Sequence, residues 1–296
     1  MSNFGDYQGN SIDLRTSLSN RLSCRHRLGY PKQLYISIFS VSSASDSIFS
    51  PQKLGSMSIP LLLTATTNPG ETINVTVNSV DDRCQQYLDT LEFYLEVGVF
   101  KKIIFAENSG DDLTFLASAQ KKAAQAGIEL ELLEKCGSND WPSYGKGRGE
   151  LSIIQQAFSR SKWLQEEGTR ALKITGRYVV KNVVELVKKV NQTDAEVICD
   201  LRGNLSTADA RFFAASKRFI EEDFFPKFEL IDDRQEIYFE HVLAQAAHSG
   251  MSKGRKWELL PELPLIEGIN GTTGEKIRTS LSKRVRHQLK KKLIRY

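Results

Sequence analysis

An α/β fold with a mostly parallel central sheet flanked by helices is the class this sequence predicts. From Met57 onward, short apolar runs alternate with stretches of helical period. Turn formers punctuate the alternation, and 40% hydrophobic with 26% charged residues suit one sizeable core under a polar surface. A βαβ order of this kind brings parallel strands side by side, with helices on both faces and ligands beyond the strands' carboxyl ends.

Residues 59–65 form the first apolar strand, 82–97 a helix with core-facing spacing, 102–106 a second strand, and 111–126 a helix ended by Gly127. A third strand follows at 129–133. The helix at 150–167, the strand at 171–174, the helix at 179–190 and the strand at 196–201 continue the alternation. A return strand at 210–215 precedes helices at 216–225 and 235–247, the latter opened by Asp232 and Asp233, which favour a helix N-terminus. Prolines 261 and 264 make 257–266 an edge strand or a loop. Glycines 268, 271 and 274 predict a flexible loop before helical pattern resumes in the C-terminal tail.

The first 56 residues are Ser-rich and show no sustained period apart from 33–41. Met57-Ser-Ile-Pro reads as a protein start, so 1–56 is expected to be a disordered N-terminal extension, with 57–274 as the folded α/β domain and 275–296 as a basic amphipathic helix. The net charge of +4 hides an uneven distribution: 275–296 carries nine Lys/Arg against one acid, whereas 57–274 carries 25 basic residues against 32 acidic. An acidic body lacks the basic footprint of a nucleic-acid binder. The four cysteines are scattered without metal-ligand spacing, as expected for reduced thiols in a cytoplasmic protein. No apolar run reaches the roughly 18 residues that span a bilayer.

Two motifs stand out. Tyr144-Gly-Lys-Gly-Arg-Gly-Glu150 enters a helix; Lys146 and Arg148 bring positive charge, Gly147 allows close backbone approach, and a helix N-terminus offers N–H groups to an anion. It is neither a Walker loop nor a dinucleotide fingerprint. Lys173-Ile-Thr-Gly-Arg-Tyr178 ends a strand in a turn that groups Lys173, Thr175 and Arg177, donors suited to a diphosphate. Each motif also reads as a surface turn with solvated charges.

With the Thr-rich end of the first strand, Leu63-Thr-Ala-Thr-Thr-Asn-Pro69, these motifs resemble GT-A glycosyltransferases, in particular bacterial enzymes that build capsule, lipopolysaccharide or other surface polysaccharide. The resemblance covers roughly 59–274 and implies a single Rossmann-like domain. It places Thr64 and Thr66 at the nucleotide base, Lys146, Gly147 and Arg148 along the donor pocket, and Lys173, Thr175 and Arg177 at the diphosphate. In that family the strand equivalent to 171–174 usually ends in Asp-x-Asp, which holds Mg²⁺ or Mn²⁺ on the donor. The chain departs from this pattern, so no metal ligand is assigned and Arg177 and Lys173 become candidates for part of the metal's role. Glu240, His241 and Asp232 are candidates for the group that takes the acceptor's proton. Glu240 and His241 are neighbours on one helix and point about 100° apart.

The function implied is transfer of a sugar from a nucleotide-sugar donor, UDP-linked by preference, to a saccharide or lipid-linked acceptor. Sugar nucleotidyl transfer is the alternative within enzymes; it lacks its Gly-rich loop with Lys after the first strand. A non-catalytic nucleotide-binding scaffold is the alternative outside them. In the tail, Leu281, Val285, Leu289 and Leu293 form an apolar stripe within a basic helix, which suits an anionic membrane surface on the inner face of the cell membrane. A solvated charge run, a protein partner and RNA contact are the other readings of that stretch.

Overall fold

The computed structural model describes residues 59–70, 79–137, 141–202, 204–270, 274–277 and 279–294. The expected N-terminal extension lies outside the described residues. The elements are β1 (Leu61–Ala65), α1 (Val80–Val97), β2 (Lys102–Glu107), α2 (Ala117–Gln125), β3 (Glu129–Leu133), α3 (Trp141–Tyr144), α4 (Lys146–Arg160), β4 (Arg170–Thr175), β5 (Val179–Val180), α5 (Val183–Val190), β6 (Val197–Ile198), β7 (Leu201–Arg202), β8 (Thr207–Ala208), β9 (Phe212–Ser216), α6 (Lys217–Phe219), α7 (Phe239–Ser252), β10 (Trp257–Glu258), β11 (Ile266–Ile269), β12 (Lys276–Ile277) and α8 (Leu281–Ile294).

The main sheet has seven strands in the order β10-β6-β9-β4-β1-β2-β3. All its pairings are parallel except the two that β9 makes with β4 and β6. The fold is therefore mixed α/β with a largely parallel sheet. Alternation along each strand divides the core. Leu61, Leu63, Ile103, Phe105, Leu172 and Ile174 pack under α1, α2 and α5, while Leu62, Ile104, Ala171 and Phe213 pack under α4 and α7. The return strand at 210–215 is β9. No helix among the described residues is long and apolar enough to cross a membrane.

Four local expectations are corrected. The second helix starts at Ala117, not 111, because the Asp111 and Asp112 carboxylates fold back on the amides of Leu113 (2.8 Å) and Thr114 (3.1 Å) and hold Leu113 at φ 56°. The fourth helix runs from Lys146 to Arg160; Gly145, at φ 103°, turns the chain into it, and Ser161 leaves it to bond the Glu131 carboxylate at 2.6 Å. Val179 and Val180, read as helix, pair with Ile266 and Glu267, since β-branched residues favour a strand where one is offered. The glycine-rich stretch from Gly268 accordingly begins inside β11, where a β-carbon at Gly268 would fall 2.7 Å from the Tyr178 ring.

Candidate functional site

The carboxyl ends of β1, β2 and β4 converge on one set of loops. The Glu107 carboxylate, fully buried at the end of β2, organises two of them: it accepts from the amides of Thr67 (3.1 Å), Ser109 (2.6 Å) and Gly110 (2.9 Å). The Thr66 hydroxyl donates to Asn108 Oδ1 at 2.7 Å, while Arg83 Nε donates to the Thr66 carbonyl at 2.7 Å and Arg83 also reaches the Tyr87 hydroxyl. Burial lowers the pKa of Arg83, and the neighbouring Arg177 charge acts in the same direction. Arg177 is 8% exposed and donates to Gln86 Oε1 at 3.1 Å. Its Nε, like Asn108 Nδ2, is buried without a hydrogen-bond partner.

Close approach of β1 and β4 requires the glycine between Thr175 and Arg177. The Gly176 amide donates to the Thr64 carbonyl at 2.9 Å, and a β-carbon there would sit 2.7 Å from that oxygen. Lys173, one residue from Ile174 on the opposite face of β4, points under α4 and is 2% exposed. Its ammonium pairs with Glu150 and donates to the Thr175 hydroxyl (3.0 Å) and the Ala210 carbonyl (2.7 Å). Thr64 and Thr175 donate to the same Glu150 oxygen, each at 3.3 Å. Lys173, Thr175 and Thr64 are thus brought together as one internal network that pins α4 to the sheet.

The entry to α4 is occupied by protein. A β-carbon at Gly145 would overlap the Asp233 carboxylate, and one at Gly147 would meet Ile231 at 3.0 Å and the Phe239 amide at 3.1 Å. The glycines therefore admit the 231–239 segment, and Asp233, 5% exposed with its pKa raised by burial, stands where an anion would meet the helix N-terminus. Arg148 is buried, stacked 3.5 Å over Tyr144, and donates to the carbonyls of Ile231 (3.1 Å) and Glu229 (3.0 Å). Lys146 alone of this motif's cations is exposed.

The three candidates for proton transfer separate clearly. His241 Nδ1 accepts from the Tyr238 amide at 3.1 Å and its ring stacks on Tyr238, which caps α7. Asp232 takes the Arg234 guanidinium on both oxygens, at 2.8 and 2.6 Å, and its carboxyl is held down to about 2 chiefly by those bonds. Glu240 is different. Burial raises its pKa, the Glu150 and Asp209 charges push the same way, and Lys146 opposes them.

Further along the carboxyl edge, Asp209 holds Arg211 through both oxygens (2.9 and 2.8 Å) and pairs with Arg202. Lys290 of α8 reaches Asp200 at 2.6 Å. Sequence reasoning gave no role to Arg83, to Asn108 or to the position of Asp233 over Gly145. Arg83 had a readable signal, a cation in the first turn of a helix where the dipole opposes it. Among the described residues no group of three or more His, Cys, Asp or Glu side chains could hold a metal ion.

These features define a mixed α/β protein with a polar site at the carboxyl edge of a largely parallel sheet. No family model matches the sequence, nor does any curated protein. Among solved structures it is similar to HddC from Yersinia pseudotuberculosis, at 14% identity and TM-score 0.36, over 57% of this chain and 86% of that one. HddC complexed with GMP-PN also matches at 14% identity and TM-score 0.36, over 55% and 79% of the two chains. A protein from Bacillus anthracis described as a glucose-1-phosphate thymidylyltransferase, in complex with sucrose, matches at 10% identity and TM-score 0.40 over 80% of this chain and 95% of that one.

Proposed function

We propose that this chain is an enzyme of nucleotide-activated sugars, and that it transfers the sugar from a nucleotide-sugar donor, UDP-linked by preference, to a saccharide or lipid-linked acceptor in surface-polysaccharide synthesis. The observation that carries the reading is the pair of buried, unpartnered donors, Asn108 Nδ2 and Arg177 Nε, at the ends of β2 and β4 beside the Thr66 turn. Leaving a buried donor unsatisfied costs about 1–3 kcal/mol, so donors of this kind at the strands' carboxyl ends favour a ligand rich in acceptor oxygens. Asn108 and Thr66 suit a nucleobase edge, and Arg177 suits the diphosphate, whose growing charge it stabilises as the bond to the sugar breaks. Glu240 takes the acceptor hydroxyl's proton as that oxygen bonds the sugar carbon and the nucleoside diphosphate departs; burial raises its pKa above the ordinary carboxylate value, which makes it a stronger base than an exposed glutamate.

The second reading, sugar nucleotidyl transfer, is the type of activity for which the Bacillus anthracis protein is named. It uses the same donor groups but splits the nucleotide between its phosphates. The two differ in product: glycosyl transfer releases a nucleoside diphosphate, nucleotidyl transfer releases pyrophosphate. A thermal-shift panel of UDP-, GDP-, CMP- and dTDP-linked sugars, followed by product analysis with the compound that stabilises most, tests both. Absence of any shift overturns the donor site, and pyrophosphate as product overturns glycosyl transfer.

We also propose that the outer face of α8 rests on an anionic membrane. Val285, Leu289 and Leu293, 60%, 54% and 77% exposed, line that face, with Arg284 and Lys292 exposed beside them. This pattern supports a helix lying at the lipid interface, on the inner surface of the cell membrane.

A further inference from the structure

The inner face of α8 packs against the body. His287, 4% exposed, bonds the Leu260 carbonyl through Nε2 at 3.0 Å, and Lys291 donates to the Pro261 carbonyl at 2.7 Å, so the helix is fixed against the body. Between α8 and the β7–β8 hairpin lies a cavity of about 370 Å³. Arg202 and Arg211 line it from the hairpin side, and Lys283, Arg286 and Lys290 line it from the helix. Among the described residues the carboxylates in its wall are Asp200 and Asp209.

Both acids are committed. Asp209 serves Arg211 and Arg202, and Asp200 serves Lys290. Lys283 and Arg286 have no carboxylate partner among the described residues, so five cations face one cavity against two acids. Converging like charges repel, and the cavity focuses their field on whatever enters it. An anion with several acceptor oxygens relieves that repulsion, and the fork of a guanidinium beside an ammonium matches a phosphate group. Arg211 also lies within the electrostatic reach of Glu240 and Tyr178.

We infer that this cavity is a second, phosphate-binding subsite, completed by Lys283 and Arg286, which holds the phosphate of the substrate that meets the nucleotide donor. The inference rests on the proposed function and deepens it. A lipid-linked acceptor carries a diphosphate, and the second substrate of nucleotidyl transfer is a sugar phosphate. Both present the same group to the cavity.

The test is isothermal titration of the full chain, at low and moderate salt, with inorganic pyrophosphate, glucose 1-phosphate and a short prenyl diphosphate as probes. It compares the wild type, a Lys283→Ala/Arg286→Ala double variant and Arg177→Ala. The wild type should bind at least one probe, more weakly as salt rises. The double variant should lose about tenfold or more in affinity with unchanged melting temperature and unchanged affinity for UDP-linked sugars. Preference for the prenyl diphosphate or for glucose 1-phosphate identifies the source of the phosphate. Failure of all three probes to bind, equal binding by the double variant, or a loss seen only in Arg177→Ala overturns the subsite. Failure of the nucleotide-sugar reading appears separately, as wild type that binds a probe but no nucleotide sugar.

Discussion

Removing Glu150 should damage this protein more than removing Lys173, although the two form one ion pair. The Lys173 side chain is 2% exposed and that of Glu150 is 23% exposed. In Glu150→Ala the ammonium stays buried with only the Thr175 hydroxyl and the Ala210 carbonyl as acceptors. Stranding a buried charge in this way costs about 3–5 kcal/mol. In Lys173→Met the volume is nearly kept, and Glu150 retains two threonine hydroxyls and some access to water. That change should cost about 1–2 kcal/mol. For a domain of this size 1 kcal/mol moves the melting temperature by about 2–4 °C, so Glu150→Ala should melt roughly 10 °C lower and Lys173→Met only about 3–5 °C lower. Urea denaturation followed by circular dichroism gives the free energies, and Glu150→Gln/Lys173→Met should be more stable than Glu150→Ala alone. If Lys173→Met costs as much as Glu150→Ala, the lysine is not the stranded charge and the network has been misread.

Other expectations follow from the site. Glu240→Gln should lose roughly 10²- to 10⁴-fold in turnover. The wild-type rate should fall as pH drops through the raised Glu240 value, because the base must be ionised; a variant with near-normal turnover would remove Glu240 from the chemistry. The same raised pKa means that the native state disfavours the ionised form, so Glu240→Gln should be at least as stable as the wild type at pH 7. Asp232 has the opposite sign: its value drops from 3.8 to about 2, so the Asp232–Arg234 contribution to stability is present above about pH 4 and fades as pH falls toward 2. Asp232→Asn should flatten that part of an acid-unfolding curve. Leu289→Asp and Leu293→Asp should release the protein from phosphatidylserine vesicles without shifting its melting temperature, and undiminished binding would show that the outer face of α8 is not the contact.

Much of the fold was legible because strands and helices announce themselves by period. The apolar runs gave β1, β2, β4 and the returning β9, and Gly176 was recognisable as the pivot of a turn. What the sequence could not carry was pairing across distance. Lys173 and Arg177 sit in one motif, yet strand alternation turns Lys173 toward α4 while the turn leaves Arg177 beside α1. Only the tertiary fold brings Glu150 to the lysine and Asp233 over Gly145. Two short segments, Val179–Val180 and Ile266–Ile269, became strands because each offered the other an edge. The basic tail reads from sequence as one amphipathic helix, but which cations face the body depends on where the helix docks. Lys290 and Lys291 turn inward, whereas Arg284 and Lys292 remain at the surface.

The central claim is that Asn108 and Arg177 form part of a nucleotide-sugar site, and titration of UDP-linked sugars into wild type, Asn108→Ala and Arg177→Ala tests it most directly. The account predicts binding to the wild type, weakened at least about tenfold in each variant with the fold intact, the larger loss falling on Arg177→Ala because it faces the charged diphosphate. Equal affinity in all three proteins, or no binding of any UDP-, GDP-, CMP- or dTDP-linked sugar to the wild type, would contradict it.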